Sequence, residues 1–312
     1  MKRIDLGKSG LIAPGIALGC MRMCDLSVAD AGHVIRAAMD TGMDLFEHAD
    51  IYGNGTAEEI FGKAVKELGI KREEMLFQTK CGIQKTPDGK GLVSFNFSKD
   101  YIIACVEGSL KRLQADYVDI LALHRPDTLM DPAEVAEAFD ALHTAGKVRY
   151  FGVSNQTPGQ MELLQAYTGH KLIVNQLQFG LVHTGMIDAG FNANMKNPGS
   201  VDHDGGILEH CRLKEVTIQA WSPFRPAVSG SVFLDNPDYP ALNAKLDEYA
   251  AQYGVSKDAI ATAWILRHPA AMQVVIGSMN PGRIAKIAKA VDVALTHAEW
   301  YALYMAAGNV LP

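Results

Sequence analysis

The chain has 312 residues, 48% of them hydrophobic and 21% charged, which is enough apolar material for a sizeable core and far from the composition of a disordered chain. Its formal net charge is -6, with no basic stripe interleaved with aromatics, so nucleic acid is not expected as a partner. No segment approaches the roughly 18 uninterrupted apolar residues that a membrane-spanning helix requires, and the N-terminus carries no long apolar run, so a soluble cytoplasmic protein without a membrane partner is expected.

Five scattered cysteines, Cys20, Cys24, Cys81, Cys105 and Cys211, fit a reducing compartment better than a disulfide framework, and the Cys20/Cys24 spacing matches no usual zinc or redox motif. No metal is therefore expected. No linker divides the chain, which argues for one domain over residues 1–312. Oligomeric state leaves no clear trace, and a monomer or weak homo-oligomer is the working expectation.

In chain order, "KRIDL" and "GLIAPG" flank Gly7 to Gly10 and predict an N-terminal β-hairpin that plugs a barrel floor. Eight short apolar runs follow: "IALG" (16–19), "DLF" (44–46), "MLFQT" (75–79), "VDILAL" (118–123), "VRYFGV" (148–153), "LIVNQ" (172–176), "VTIQAW" (216–221) and "QVVIG" (273–277). Between them lie helical patterns such as "VADAGHVIRAAMDTG", "SKDYIIACVEGSLKRL" and "DPAEVAEAFDALHTAGK", several opening on Ser or Asp and closing at Gly. Continuous apolar strands alternating with helices predict an α/β fold, the (β/α)8 TIM barrel, with a C-terminal helical extension. A doubly wound open sheet is the competing architecture, but no G-x-G-x-x-G opens a helix after an early strand.

A barrel places function at the strands' C-terminal ends. Those ends carry Glu47, Lys80, His124, Ser154 and Asn155, Gln176, Trp221 and Ser222, and Ser278, so polar side chains converge on one rim. Just past Glu47 stands Tyr52. An unperturbed phenol holds its proton to about pH 10 and is a poor donor at neutrality. A lysine ammonium at about 4 Å and an effective dielectric of about 20 favours the phenolate by roughly 4 kcal/mol, so Lys80 is expected to lower the pKa of Tyr52 by up to about three units. Glu47 would keep Lys80 charged, and His124 would donate a hydrogen bond to a carbonyl oxygen. Such a set protonates an oxygen on which negative charge develops.

The stretches "LFEHADIYG", "FQTKCGI", "LALHRPDTLMDPAEVAEAF", "GKVRYFGVSN", "VNQLQF", "AWSPF" and "VIGSMNPGRI" resemble the aldo-keto reductases, and within them the bacterial YdhF-like oxidoreductase branch, over nearly the whole chain. The resemblance implies NADPH, with NADH less favoured, bound across the C-terminal rim, and reduction of a small aldehyde or ketone. The family's catalytic tyrosine, lysine and histidine fall on Tyr52, Lys80 and His124. Its aspartate, five residues before the tyrosine, falls on Glu47, one methylene longer, so that the carboxylate is expected to force the backbone back or to overshoot.

For the cofactor, the resemblance implies that Trp221 stacks on the nicotinamide, that Ser154, Asn155 and Gln176 hold its carboxamide, and that Gly19, Cys20 and Met21 border its ribose. It extends the rim through Ser222, Pro223 and Phe224, and assigns Ser278, Asn280 and Arg283 to the adenosine 2′-phosphate. Gly277 stands where many relatives place a lysine. Residues 183–206, "HTGMIDAGFNANMKNPGSVDHDGG", are expected to cap the substrate pocket, and residues 227–240 to clasp the pyrophosphate. A second reading follows from Glu47: a cofactor-binding sensor or regulatory protein with little turnover.

Overall fold

The computed structural model describes residues 1–86, 88–227 and 230–312. The antiparallel pair β1 (Arg3–Asp5) and β2 (Ile12–Pro14) precedes the strands β3 (Ile16–Gly19), β4 (Leu45–Glu47) and β5 (Leu76–Cys81). A short antiparallel hairpin, β6 (Ile83–Lys85) and β7 (Leu92–Phe95), is inserted before β8 (Val118–Leu123), β9 (Val148–Ser154), β10 (Leu172–Gln178), β11 (Thr217–Trp221) and β12 (Gln273–Ile276). Strands β3, β4, β5, β8, β9, β10, β11 and β12 close, all parallel, into one barrel. All eight apolar runs are barrel strands. The hairpin formed by residues 83–85 and 92–95 was not anticipated, although "IQK" and "LVSF" on either side of the glycine-containing residues 88–91 carry that signal.

The helices are α1 (Val28–Asp40), α2 (Thr56–Leu68), α3 (Lys99–Leu113), α4 (Pro132–Thr144), α5 (Pro158–Gln165), α6 (Gly185–Phe191), α7 (Ile207–Leu213), α8 (Pro240–Tyr253), α9 (Lys257–Leu266), α10 (Pro281–Ile287) and α11 (His297–Ala306). Side-chain caps start several of them: Ser27 accepts from Asp30 N–H, Asp131 from Ala133 N–H and Ser256 from Ala259 N–H.

The N-terminal hairpin does plug the floor. Leu6, Leu11 and Ala13 are buried against Ala17, Leu45, Ile120, Ile173, Val174 and Val275, and Gly7 N–H donates to Thr217 Oγ1 at 2.8 Å. Above this layer the barrel interior is polar. Gln273 Nε2 donates to Pro14 O (2.6 Å) and Gln219 Nε2 to Gln273 Oε1 (2.7 Å), while Gln78 and Gln219 exchange a reciprocal pair at 2.7 Å. These amides are wholly buried, so each must find its partners inside the barrel, and together they form one connected chain.

The C-terminal extension is pinned by two stacked indoles: Trp264 and Trp300 lie 4.6 Å apart and 9° from parallel, each ring N–H donating to the other's carbonyl at 3.0 and 2.9 Å. The long segment after β10 is tied to the same extension, through Tyr304 OH to Asp188 (2.7 Å) and Asn309 to Leu181 O (3.1 Å). Of the expected clasp at 227–240, residues 228 and 229 lie outside the described residues. Among the described residues, no helix is long and apolar enough to cross a membrane.

Candidate active site

Strand β4 ends on Glu47, and the chain turns sharply through Gly53, Asn54 and Gly55, all at positive φ (56°, 54° and 92°), before entering α2. A side chain at Gly53 would meet Cys24 Cβ at 2.5 Å and one at Gly55 would meet Arg112 Cδ at 2.7 Å. Only glycine fits both positions at acceptable cost. The turn swings Tyr52 back over the end of β5, where Lys80 stands.

Lys80 is fully buried, and its Nζ donates to His48 O (2.8 Å), to Tyr52 OH (2.9 Å) and to Glu47 Oε1. Tyr52 OH donates in turn to Glu47 Oε1 at 3.2 Å. The longer acid neither withdraws nor overshoots: its carboxylate touches both partners. Gln176 Nε2 reaches the same oxygen at 3.2 Å and Gln219 Oε1 at 3.4 Å, which joins Glu47 to the interior amide chain. The carboxylate is thus positioned from the barrel floor upward. His124 stands edge-on to Tyr52, ring centroids 6.0 Å apart, with Nδ1 buried and without a hydrogen-bond partner among the described residues.

The electrostatics correct one expectation. Burial, the largest cause, raises the Tyr52 phenol above its ordinary value, and burial likewise drives the Lys80 ammonium well below its own. Desolvation of the phenolate outweighs the pull of Arg125, the cation that lowers the phenol, so Tyr52 is not lowered in the resting protein. It is held as a protonated acid through the neutral range. Glu47, in direct contact, is the group that opposes the loss of charge on Lys80. His124 is held neutral, first by burial and then by Lys80 and Arg125, and a neutral imidazole carries one N–H to donate.

His48 is buried beside Phe61 (centroids 4.5 Å), neither ring nitrogen has a partner among the described residues, and burial lowers it to about 3. In the folded state it stays neutral while the unfolded chain takes up a proton below about pH 6.5, so His48 costs stability as pH falls, by up to about 1.4 kcal/mol per unit. Asp50, raised to about 7 chiefly by burial, acts in the opposite sense, so the informative quantity is a difference between variants. Relative to the parent, His48→Leu is expected to gain about 1.4 kcal/mol per unit as pH is lowered from about 6 to about 4, read from denaturant midpoints. A difference that does not change with pH would contradict this.

Of the remaining residues expected at the site, Ser154 Oγ donates to Gln176 O (3.0 Å), Asn155 Nδ2 to Ser154 Oγ (2.7 Å) and Trp221 Nε1 to Asn155 Oδ1 (3.3 Å), one continuous string along the rim. Ser222 follows at φ 47°, while Pro223 and Phe224 are buried. The Gln176 amide points to Glu47 and Gln219. Gly19 has no room to spare: a Cβ there would meet Val275 Cγ1 at 3.0 Å and Glu47 Oε2 at 3.1 Å. Cys20 is fully buried with its thiol against Leu18 O, whereas Met21 is 52% exposed. Asn280 is engaged in capping, accepting from Arg283 N–H at 3.0 Å, and Ser278 accepts from Asn280 N–H at 3.3 Å. The Arg283 guanidinium pairs with Asp258, its Nε at 2.9 Å.

Three arginines, Arg22, Arg225 and Arg125, were missed. Arg22 Nη2 lies 3.1 Å from where a Cβ on Gly277 would stand, and burial followed by the charges of Arg225 and Arg283 disfavours its own charge, so three guanidiniums gather at this part of the rim. Arg125, next to His124, lies 5.7 Å from the centroid of the Trp221 ring. None of the three carries a sequence signal beyond its place in a loop after a barrel strand.

The model of the Aldo/keto reductase family matches residues 15–305. The chain belongs to that family. It is 35% identical to the uncharacterized oxidoreductase YcsN of Bacillus subtilis (strain 168) and 32% identical to oxidoreductase YdhF of Escherichia coli (strain K12), in each case over 98% of both chains. The fold superposes with a TM-score of 0.75 on a Bombyx mori aldo-keto reductase solved in complex with NADP, at 22% identity, covering 98% of this chain and 92% of that one. The protein is thus an oxidoreductase, an aldo-keto reductase with the closed eight-stranded barrel of its fold neighbours.

Proposed function

We propose that this aldo-keto reductase reduces an aldehyde or ketone to an alcohol with NADPH, Tyr52 acting as general acid. The observation that carries the reading is the contact of Lys80 Nζ with both the Tyr52 hydroxyl (2.9 Å) and the Glu47 carboxylate beside a neutral His124. NADPH supplies the hydride for the carbonyl carbon, which no side chain can. As negative charge grows on the substrate oxygen, His124 N–H stabilises it and Tyr52 O–H transfers its proton to it. The phenolate left behind is stabilised by the Lys80 ammonium, whose charge Glu47 maintains. Burial keeps the phenol protonated beforehand, and the nearby cation acts once charge has developed, which favours the transition state over the ground state.

The rim fits a phosphorylated dinucleotide. Gly19 leaves the floor of the groove without a side chain, and Arg22, Arg225 and Arg283 supply a gathered set of cations. Where relatives place a lysine, Gly277 leaves the space that the Arg22 guanidinium enters, so Arg22 supplies a cation there from the first βα loop. Charge-assisted hydrogen bonds contribute about 1.5–3 kcal/mol, so Arg22→Ala is expected to weaken NADPH binding about 10- to 100-fold by fluorescence titration. Unchanged affinity would remove Arg22 from the cofactor site. A greater loss for NADPH than for NADH would assign Arg22 to the 2′-phosphate.

The test of function is to mix the protein with NADPH and a panel of aldehydes. Loss of the reduced-nicotinamide absorbance with formation of the alcohol supports the reductase. Changes in cofactor fluorescence without that loss support the sensor.

A further inference from the structure

Arg125 follows His124 in the loop after β8 and is half-buried, at the same mouth as Tyr52 and Trp221. Among the described residues its guanidinium has no hydrogen-bond or carboxylate partner, whereas Arg283 pairs with Asp258, Arg112 with Glu58 and Arg72 with Asp119. It lies 5.7 Å from the centroid of the Trp221 ring, and its charge is felt by Tyr52 and His124. Burial already works against that charge. A half-buried cation without a counterion, beside the group that protonates the substrate, gains most from an anion delivered with the substrate itself.

We propose that Arg125 recognises an acidic group on the substrate, so that the preferred carbonyl compounds of this enzyme carry a carboxylate or phosphate close to the reacting carbon. The inference rests on the reductase reading given above and deepens it. The planar guanidinium presents a fork of N–H donors that matches two oxygens of either anion. An uncharged aldehyde leaves that fork to water.

The experiment compares matched pairs on the complete enzyme with NADPH: carboxybenzaldehyde against its methyl ester, and phosphorylated glyceraldehyde against glyceraldehyde. Wild type is expected to show the higher kcat/KM for the charged member of at least one pair, and the pair that responds tells carboxylate from phosphate. In Arg125→Gln the charged member is expected to fall about 10- to 100-fold further than the uncharged one, mostly through KM, while Arg125→Lys recovers part of the preference. Affinity for NADPH should not follow the change.

Equal losses for both members of each pair, or no preference in wild type, would overturn the proposal. A fall in NADPH affinity with the preference intact would instead make Arg125 a support for Trp221. Should no aldehyde be reduced, the reductase reading fails separately. Calorimetric binding of carboxybenzyl alcohol and its methyl ester to the protein with NADP+ then still decides the role of Arg125, which requires tighter binding of the acid in wild type and not in Arg125→Gln.

Discussion

Replacing Tyr52 by phenylalanine is expected to lower kcat about a thousandfold while NADPH still binds, because the change removes one hydroxyl and with it the proton that the product oxygen must receive; positioned general acids contribute about 10²–10⁴. The ring keeps its edge-on packing with His124, and Lys80 keeps its bonds to His48 O and Glu47, so the pocket should hold its shape. Steady-state kinetics with an uncharged aldehyde and a parallel cofactor titration check both halves of the expectation. Full activity in the variant would remove Tyr52 from the mechanism.

The second large effect falls on Glu47. Glu47→Gln leaves the Lys80 ammonium fully buried with neutral acceptors only, and removing one partner of a buried pair costs about 3–5 kcal/mol, so both stability and turnover should drop. A glutamate that forced the backbone back or overshot would be improved, or at least not harmed, by restoring the family's aspartate. The observed contacts reverse that expectation. The glutamate carboxylate already bonds Lys80, Tyr52 and Gln176, and shortening it withdraws it from all three. A misplacement of about 1 Å can cost on the order of a hundredfold, so Glu47→Asp is expected to lose about that factor in kcat. Turnover equal to or above wild type would show that the amide chain from the barrel floor does not fix the carboxylate.

The barrel was legible because its parallel strands, covered outside by helices and packed against one another inside, read as short, mostly apolar runs such as "VDILAL" and "QVVIG" spaced by helical patterns. Tyr52, Lys80, Glu47 and His124 were legible because each follows such a run, and the barrel geometry carries strand ends to one rim. The interior amide chain was not. Gln78, Gln176, Gln219 and Gln273 come from four strands far apart in sequence, and each alone reads as an ordinary strand residue. The direction of the Tyr52 shift was also hidden, since it depends on how completely the phenol is desolvated, and sequence distance does not report burial. Arg125 was passed over as the start of a loop, although it adjoins a residue already singled out. That no carboxylate among the described residues pairs with it is something only the folded chain reveals.

The most direct test follows the hydrogen itself. The enzyme is loaded with NADPH deuterated at the transferable position of nicotinamide C4 and mixed with an aldehyde in a single turnover, in wild type and in Tyr52→Phe. Deuterium on the alcohol carbon in wild type, appearing about a thousandfold more slowly in the variant, is the expected result. Bound cofactor that yields no deuterated alcohol, or transfer at the same rate without the Tyr52 hydroxyl, would contradict the mechanism proposed for this protein.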